Sequence, residues 1–263
     1  MITSSNNARL KTVRLLTGRS KERREAGAFL AEGVRLVEEA LASDWPFRYV
    51  LHSDQLGERG RQLLARIQQR GIEADEISGK LLASLSETET SQGILAVLAD
   101  ERPPRVHDLN FVLIADALRD PGNLGTLLRS AEAAGFDAAF LAPGTTDAFA
   151  PKVVRAGMGA HFRLPLYEVS WEEIRTQVAA YGWTVDLADM KGQSCWERDF
   201  RPPLALIISG EAEGATEAAR RLAQQTVSIP MHGQAESLNA AVAGAVLMFE
   251  VMRQRKLNTN GTK

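Results

Sequence analysis

The chain has 263 residues, 44% of them hydrophobic, as expected of a folded protein with one large or two ordinary domains. Its 31 lysines and arginines against 33 aspartates and glutamates leave a net charge of −2 at pH 7, which excludes nucleic-acid binding through a global basic field. A single cysteine excludes a disulfide framework and no apolar run approaches the roughly 20 residues that span a bilayer, so we expect a cytoplasmic protein without a membrane segment.

Charge is distributed most unevenly over the first 24 residues, where seven cations accompany one acid, Glu22. The polar beginning, MITSSNNARLK, lacks the apolar stretch of a signal peptide. A local basic cluster suits phosphates, and a solvated helix face explains the same pattern about equally well. The cations are Arg9, Lys11, Arg14, Arg19, Lys21, Arg23 and Arg24.

Helix and strand patterns alternate over the first hundred residues. GVRLVEEALAS and QLLARIQQRG are typical of helices, whereas FRYVLHS and GILAVLA are typical of short strands. This alternation predicts a small α/β domain.

A linker follows these patterns. The segment DERPPRVHD carries two prolines among charged residues, which favours an irregular connection. We therefore predict one domain over residues 1–105 and a second over residues 106–263.

The second domain alternates apolar runs with helix patterns. Such runs predict strands buried on both faces, and hence a parallel sheet covered by helices. One helix has clear ends, because Ser170 and Glu173 form a capping box and Gly182 is a C-terminal stop. The predicted strands are 111–115, 138–142, 204–209 and 227–230.

Three of these strands end in polar loops that contain glycine. In a parallel sheet the carboxyl ends of the strands share one edge, where ligands bind in open α/β folds. We therefore expect the three loops to build one site. They are RDPGNLG, SGEAEG and PMHGQAESLN.

Several common sites are missing from these loops. The sequence contains no phosphate-binding Gly-x-x-x-x-Gly-Lys-Ser/Thr loop, no Gly-x-Gly-x-x-Gly and no Gly-x-Ser-x-Gly elbow. The four histidines and the cysteine are too scattered for metal-ligand spacing, so we expect no metal. The polar residues of this edge are suited to orienting and polarising a substrate, and none is an obvious nucleophile. They are Asn123, Arg129, Glu211, Ser237 and Asn239.

Several of these residues, taken one at a time, also have a purely structural explanation. Asn123 after Pro-Gly is more often a turn residue than a catalytic one. Gly210 could merely end a strand, and Glu211 could favour a helix N-terminus. The small residues from Ala241 to Ala245 are best explained by close helix packing.

The three loops together resemble the signature motifs of the SpoU (TrmH-type) RNA ribose methyltransferases. The resemblance lies in DPGNLGTLLRSAEAAG, LALIISGEAEG and VSIPMHGQAESLNAAVAGAVLMFE, and it covers the whole second domain. TDAFAPKVVRAGMGAHFRLP resembles the stretch between the first two motifs, with Ala156-Gly157 in place of a more usual Ala-Ser. AFLAEGVRLVEEAL resembles the N-terminal substrate-binding domain of the family, which is akin to RNA-binding ribosomal proteins.

This resemblance implies a SPOUT fold, in which the C-terminal segment is threaded into a deep knot, although true knots are nearly absent from proteins in general. It also implies a homodimer with the active site near the subunit interface. The methyl donor would be S-adenosyl-L-methionine, held largely by backbone groups around Gly210, Ile229, Met231 and Leu238.

The resemblance places the RNA and the chemistry on a second set of residues. Arg129 would contact the phosphate and ribose of the target and accept the proton, helped by Asn123, Glu211, Ser237 and Asn239, and Arg155 would join the RNA-binding cations. A neutral arginine at pH 7 costs at least about 7 kcal/mol, however. We therefore interpret Arg129 as a bidentate phosphate clamp that acidifies the hydroxyl electrostatically.

The resemblance favours 2′-O-methylation of a ribose in 23S ribosomal RNA, because an N-terminal RNA-binding domain usually accompanies that substrate. A transfer-RNA substrate is the alternative within the same chemistry. A non-catalytic RNA-binding or ribosome-assembly protein is the alternative of another class, against which every polar motif position is filled.

Overall fold

The computed structural model describes residues 2, 6–86, 91–101, 108–210, 214–234 and 236–259. They fall into two compact units: residues 1–102 with 147–162, and residues 103–146 with 163–263. In chain order the elements are α1 (Ala8–Thr17), α2 (Ser20–Ala26), β1 (Ala28–Glu32), α3 (Val34–Ala42), β2 (Phe47–His52), α4 (Glu58–Gln69), β3 (Ala74–Glu76), α5 (Gly79–Ala83), β4 (Ile94–Ala99), β5 (Phe111–Asp116), α6 (Pro121–Ala134), β6 (Ala138–Leu141), α7 (Pro151–Gly157), β7 (Leu166–Glu168), α8 (Trp171–Tyr181), β8 (Thr184–Ser194), β9 (Leu204–Ser209), α9 (Glu217–Leu222), β10 (Gln225–Ser228) and α10 (Ala240–Thr259).

The second unit is built on the parallel sheet that the apolar runs predict. Its strand order is β10-β8-β9-β5-β6-β7, and every neighbouring pair is parallel. All residues of β5 and β6 are buried, as befits strands covered on both faces. The last predicted strand is displaced, since β10 ends at Ser228 and leaves Ile229 and Pro230 in the loop beyond it.

Helix α10 returns from the edge strand β10 to pack against α6. A Cβ at Gly244 would come within 2.3 Å of Leu127 Cδ1, so a larger residue here would force the Leu127 side chain to move. Ala241 is buried as well. Helix packing thus explains the small residues here, and this return is the chain path along which the resemblance predicts a knot.

Helix α8 has both predicted ends. Ser170 Oγ accepts a hydrogen bond from Glu173 N at 3.2 Å, and Glu173 Oε2 accepts one from Ser170 N at 2.8 Å. Gly182 ends the helix with φ of +63°, in the left-handed region that favours glycine. Local sequence alone therefore fixes this element.

The first unit contains a mixed sheet of order β1-β4-β2-β3, with β2 and β3 parallel and the other pairs antiparallel. The predicted strands and helices of this region are all present, within a few residues of their expected ends. Helix α1 buries Leu10, Val13 and Leu16 in the core of this unit. The cations of α1, Arg9, Lys11 and Arg14, therefore lie on a helix that is anchored in the core.

Residues 147–162 belong to the first compact unit, although they follow β6 in the chain. The Phe149 ring lies 4.8 Å from that of Phe29, and Phe162 lies 5.4 Å from Trp45. Buried His161 bonds the carbonyl oxygen of Ala148 through Nε2 at 2.7 Å, and burial lowers the pKa of its imidazole to about 4 because the charged form loses its hydration. A neutral aromatic cluster thus holds the segment.

Candidate functional site

The loops that leave β5 and β9 touch each other at the carboxyl edge of the sheet. Gly210 N donates a hydrogen bond to the backbone oxygen of Asp116 at 3.0 Å. A Cβ at position 210 would lie 2.6 Å from the Ala117 oxygen, so only glycine permits this approach. Ala117 itself has φ of +50°, an uncommon conformation for alanine. The role of Gly210 is therefore more than ending a strand.

Asn123 and Asn239 meet across the same edge. Asp120 caps α6 by accepting from Asn123 N at 2.8 Å, and Pro121 fills the first helical position, where no amide hydrogen is needed. Asn239 Nδ2 then donates to Asn123 Oδ1 at 2.9 Å. This bond joins the first predicted loop to the third.

The orientation of Asn239 is fixed by a second set of bonds. Its Oδ1 accepts from Ala241 N at 3.0 Å and from Val242 N at 3.2 Å, which caps the start of α10. With its oxygen occupied by the helix, the amide nitrogen of Asn239 is directed to Asn123. One side chain therefore both begins α10 and holds the predicted site together.

Arg129 lies six residues after Asn123 on α6, about 9 Å further along the helix axis. Its neighbours Leu127 and Leu128 are buried, whereas Arg129 is exposed. Within the described part of the chain, no hydrogen bond or ion pair involves its guanidinium. An exposed arginine without a protein partner is available to a phosphate.

The loop after β10 offers backbone groups and apolar side chains together. Among the described residues, no hydrogen bond uses the backbone amides of Ile229, Met231 or Leu238. The side chains of Met231 and Leu238 are both more than a third exposed. Free amides beside apolar surface suit a ligand that combines polar edges with an apolar body, as S-adenosyl-L-methionine does.

Two predicted site residues remain, Ser237 and Glu211. Ser237 is exposed in the same loop as Leu238. Glu211 lies outside the described residues. In the part of the chain that is described, no group of three or more histidine, cysteine, aspartate or glutamate side chains could hold a metal ion, and no helix is long and apolar enough to cross a membrane.

The predicted RNA-binding cations differ in how far they are exposed, and Arg9 and Arg155 are partly buried. Arg9 pairs with Glu73 and Asp75, and Arg155 pairs with Glu32 at 3.6 Å. Those on the surface are Lys11, Arg14, Arg19, Lys21 and Arg24.

Arg23 corrects the sequence-based expectation. Its side chain is 6% exposed, and its Nη2 lies 2.6 Å from Asp147 Oδ2. Its Nη1 donates to the backbone oxygens of Leu16 at 2.9 Å and Gly18 at 2.8 Å. All its donors are directed into the protein, so Arg23 is a structural residue and we remove it from the RNA-binding set.

Sequence reasoning missed Asp116, which is fully buried at the end of β5 and accepts hydrogen bonds from Ser209 and Thr216. The predicted strand stopped one residue earlier, at Ala115. An acidic residue that directly ends an apolar run, at the edge where the loops gather, was the signal that could have found it.

Two family models match the chain. The model of the SpoU rRNA Methylase family matches residues 110–249, and the model of the MRM3-like substrate binding domain matches residues 7–96. Together they cover both the parallel-sheet region and the mixed-sheet region.

Characterised proteins resemble the chain over nearly its whole length. The 23S rRNA (guanosine(2553)-2′-O)-methyltransferase RlmP of Bacillus subtilis (strain 168) is 35% identical, over 95% of this chain and 98% of that protein. The 23S rRNA (uridine(2479)-2′-O)-methyltransferase of Streptomyces viridochromogenes is 34% identical, over 96% and 92%. The crystal structure of the SpoU methyltransferase AviRb from Streptomyces viridochromogenes with AdoMet has a TM-score of 0.84 at 33% identity, over 95% of this chain and 99% of that one.

Proposed function

Because the chain belongs to the SpoU rRNA methylase family, we propose that it transfers the methyl group of S-adenosyl-L-methionine to a ribose 2′-hydroxyl in structured RNA, with 23S ribosomal RNA as the substrate. The observation that carries the proposal is the bond from Asn239 Nδ2 to Asn123 Oδ1, which joins two of the three motif loops in one chain. The cytoplasmic location expected from the single cysteine belongs to the same proposal.

The loop after β10 and Gly210 would hold the cofactor. The amides of Ile229, Met231 and Leu238 are the donors available for its polar edges, and the close approach of Gly210 to Ala117 shapes the neighbouring backbone. When bound, S-adenosyl-L-methionine supplies a methyl group already activated on a sulfonium. The protein therefore has to bind and align rather than to activate a donor.

The chain's own polar residues would align the ribose. The Asn123 and Asn239 pair is held by two helix starts, so it is rigid before substrate arrives. Arg129 would bind a phosphate through two parallel N–H groups and stabilise the developing alkoxide by its charge, with the proton lost late or to water.

Alkaline digestion tests the chemistry. Purified protein is incubated with methyl-labelled cofactor and, separately, with unmodified ribosomal and transfer RNA transcripts, and the RNA is then hydrolysed. A 2′-O-methyl group blocks attack on the neighbouring phosphate, so we expect label in an alkali-resistant dinucleotide from ribosomal RNA. Label in the transfer RNA would show that transfer RNA is the substrate, and label in mononucleotides would overturn ribose methylation. No label together with no cofactor binding would favour the non-catalytic alternative.

RNA would also bind to the exposed cations of α1 and α2. Deleting residues 1–24 would strip Leu10, Val13 and Leu16 from the core, so point substitutions are the better test. We expect Lys11→Ala, Arg14→Ala and Arg19→Ala combined to weaken RNA binding and to flatten its salt dependence, lowering the logarithmic slope by about 2 for three single-stranded phosphate contacts.

A salt titration of RNA affinity measures this slope. Arg59→Ala, Arg61→Ala and Arg66→Ala combined remove the same charge from α4 of the same unit, where Glu38 and Glu58 already pair with these arginines. Equal losses in the two triple variants would mean that net charge, rather than the basic face of α1 and α2, determines binding.

We further propose that two copies of the chain associate through α10. Val242 and Phe249 are 48% and 43% exposed and, seven residues apart, share one face of the helix. Large exposed apolar side chains in such a row are typical of a protein interface. A second copy would cover this face beside the loop that contains Leu238.

The association predicts the behaviour of one variant. Phe249→Glu places a charge on the proposed interface, so we expect light scattering to give twice the chain mass for the wild type and the single mass for the variant. Met190→Glu is the matched control, because Met190 is even more exposed but lies on β8. A wild-type monomer would refute the dimer directly.

A further inference from the structure

A buried acidic side chain lies at the end of β5. Asp116 is fully buried, and no lysine, arginine or histidine among the described residues forms an ion pair with it. Its Oδ2 accepts from Ser209 Oγ at 2.8 Å and from Thr216 N at 2.8 Å, and its Oδ1 accepts from Thr216 Oγ1 at 2.9 Å. A buried carboxyl group is costly unless it is hydrogen-bonded, and among the described residues its side-chain partners are Ser209 and Thr216.

These donors flank the second motif loop on both sides. Ser209 is the last residue of β9 and immediately precedes Gly210. Thr216 caps α9, accepting from Ala219 N at 3.2 Å while its own hydroxyl donates to Asp116. The backbone oxygen of Asp116 also accepts from Gly210 N at 3.0 Å. One residue therefore binds the entrance and the exit of the loop between β9 and α9.

A second buried aspartate of the same sheet provides a contrast. Asp186 on β8 is equally buried, but it forms a bidentate ion pair with Arg198 at 2.7 Å and 3.0 Å. Among the described residues, no side-chain hydrogen bond links Asp186 or Arg198 to any of the three motif loops. The buried side chain of Asp186 therefore stabilises the framework of this unit, whereas that of Asp116 bonds to the ends of a motif loop.

We propose that Asp116 is a positioning residue for cofactor binding: by closing the loop between β9 and α9 at both ends, it fixes the backbone of Gly210. The inference rests on the proposed function for the role of Gly210. Asp116 acts through that backbone, since its side chain is fully buried and its acceptor oxygens are occupied by protein donors.

Calorimetry of S-adenosyl-L-methionine binding to the full chain tests the inference. We expect Asp116→Ala to weaken binding by about tenfold or more, because the three hydrogen bonds to Ser209 and Thr216 are lost. Asp116→Asn should stay within about threefold, since its oxygen can accept from Ser209 and Thr216 N while its amide donates to Thr216 Oγ1. Asp186→Ala should lower the melting temperature yet leave affinity within about twofold.

Amide hydrogen exchange supplies a readout that needs no cofactor. In Asp116→Ala we expect faster exchange at Thr216 and also at Gly210, whose own acceptor is a backbone oxygen that the substitution leaves in place. Faster exchange at Thr216 alone would overturn the inference, as would unchanged cofactor affinity in Asp116→Ala.

Two further outcomes are separable. If Asp116→Ala does not fold, Ser209→Ala removes one donor only, and we expect about threefold weaker cofactor binding from it, with an unchanged affinity counting against the inference. If the wild-type protein does not bind S-adenosyl-L-methionine, the proposed function is overturned. If the wild type binds it and all the variants bind it with the same affinity, only the role of Asp116 is overturned.

Discussion

Arg129→Ala is expected to lower the turnover of RNA methylation by about a thousandfold while leaving the affinity for S-adenosyl-L-methionine unchanged. The guanidinium is exposed on α6 and makes no bond to the described residues, so its removal leaves no buried group unsatisfied. The loss should therefore appear in the reaction rather than in stability. Single-turnover rates with saturating RNA, together with melting temperatures, measure the two effects separately.

Arg129→Lys distinguishes a clamp from a simple charge. Lysine retains the positive charge but presents a single ammonium instead of two parallel N–H groups. If bidentate geometry aligns the phosphate, the lysine variant should lose about a hundredfold in rate. Nearly full turnover would refute the clamp.

Thr126→Ala is the matched control for both variants. Thr126 is exposed on the same helix, one turn before Arg129. We expect it to change neither rate nor stability appreciably, because exposed substitutions away from special contacts alter stability by at most about 0.5 kcal/mol. A rate loss as large as that of Arg129→Ala would place the effect in the helix surface as a whole instead of in the guanidinium.

The parts of the fold that sequence predicts well are those that depend on local or periodic patterns. The apolar runs of β5, β6 and β9 predict a parallel sheet because strands buried on both faces need apolar residues throughout. The ends of α8 follow from Ser170, Glu173 and Gly182, whose capping bonds span only a few residues. Such features need no knowledge of distant partners.

Long-range contacts explain what the sequence did not reveal. The bond between Asn123 and Asn239 spans 116 positions, and no local pattern indicates it. The shared edge of a parallel sheet and the resemblance placed the two residues in one site, but neither predicted that they bond to each other. Residues 147–162 follow a strand of the second unit, yet their aromatic side chains pack with Phe29 and Trp45 of the first. In both cases the local sequence around a residue does not indicate which distant residue it contacts.

Arg23 shows the same difficulty for charge. In the sequence it is one of seven cations in a basic stretch, and its spacing does not distinguish it from Arg24. In the structure it fills a buried position opposite Asp147, which lies 124 residues away. A cluster of cations in a sequence can therefore combine surface residues with structural ones.

This difference predicts opposite behaviour for two adjacent arginines. Arg23→Ala should lower the free energy of unfolding by about 3–5 kcal/mol, the usual cost of removing one partner of a buried ion pair. Asp147, whose side chain is only 15% exposed, would lose its ion-pair partner, and the backbone oxygens of Leu16 and Gly18 would lose their donors. Arg24→Ala, on the exposed face of the same helix, should cost no more than about 0.5 kcal/mol.

Urea unfolding of the two variants, followed by circular dichroism, measures the difference. The double variant Arg23→Ala with Asp147→Ala should be less destabilised than the sum of the single variants, because removing both charges leaves neither one buried alone. Equal stability of Arg23→Ala and Arg24→Ala would show that the buried pair contributes nothing. If Arg23 is purely structural, its removal can weaken RNA binding only by destabilising the fold. A loss of RNA affinity in Arg23→Ala at unchanged stability would therefore return Arg23 to the RNA-binding set.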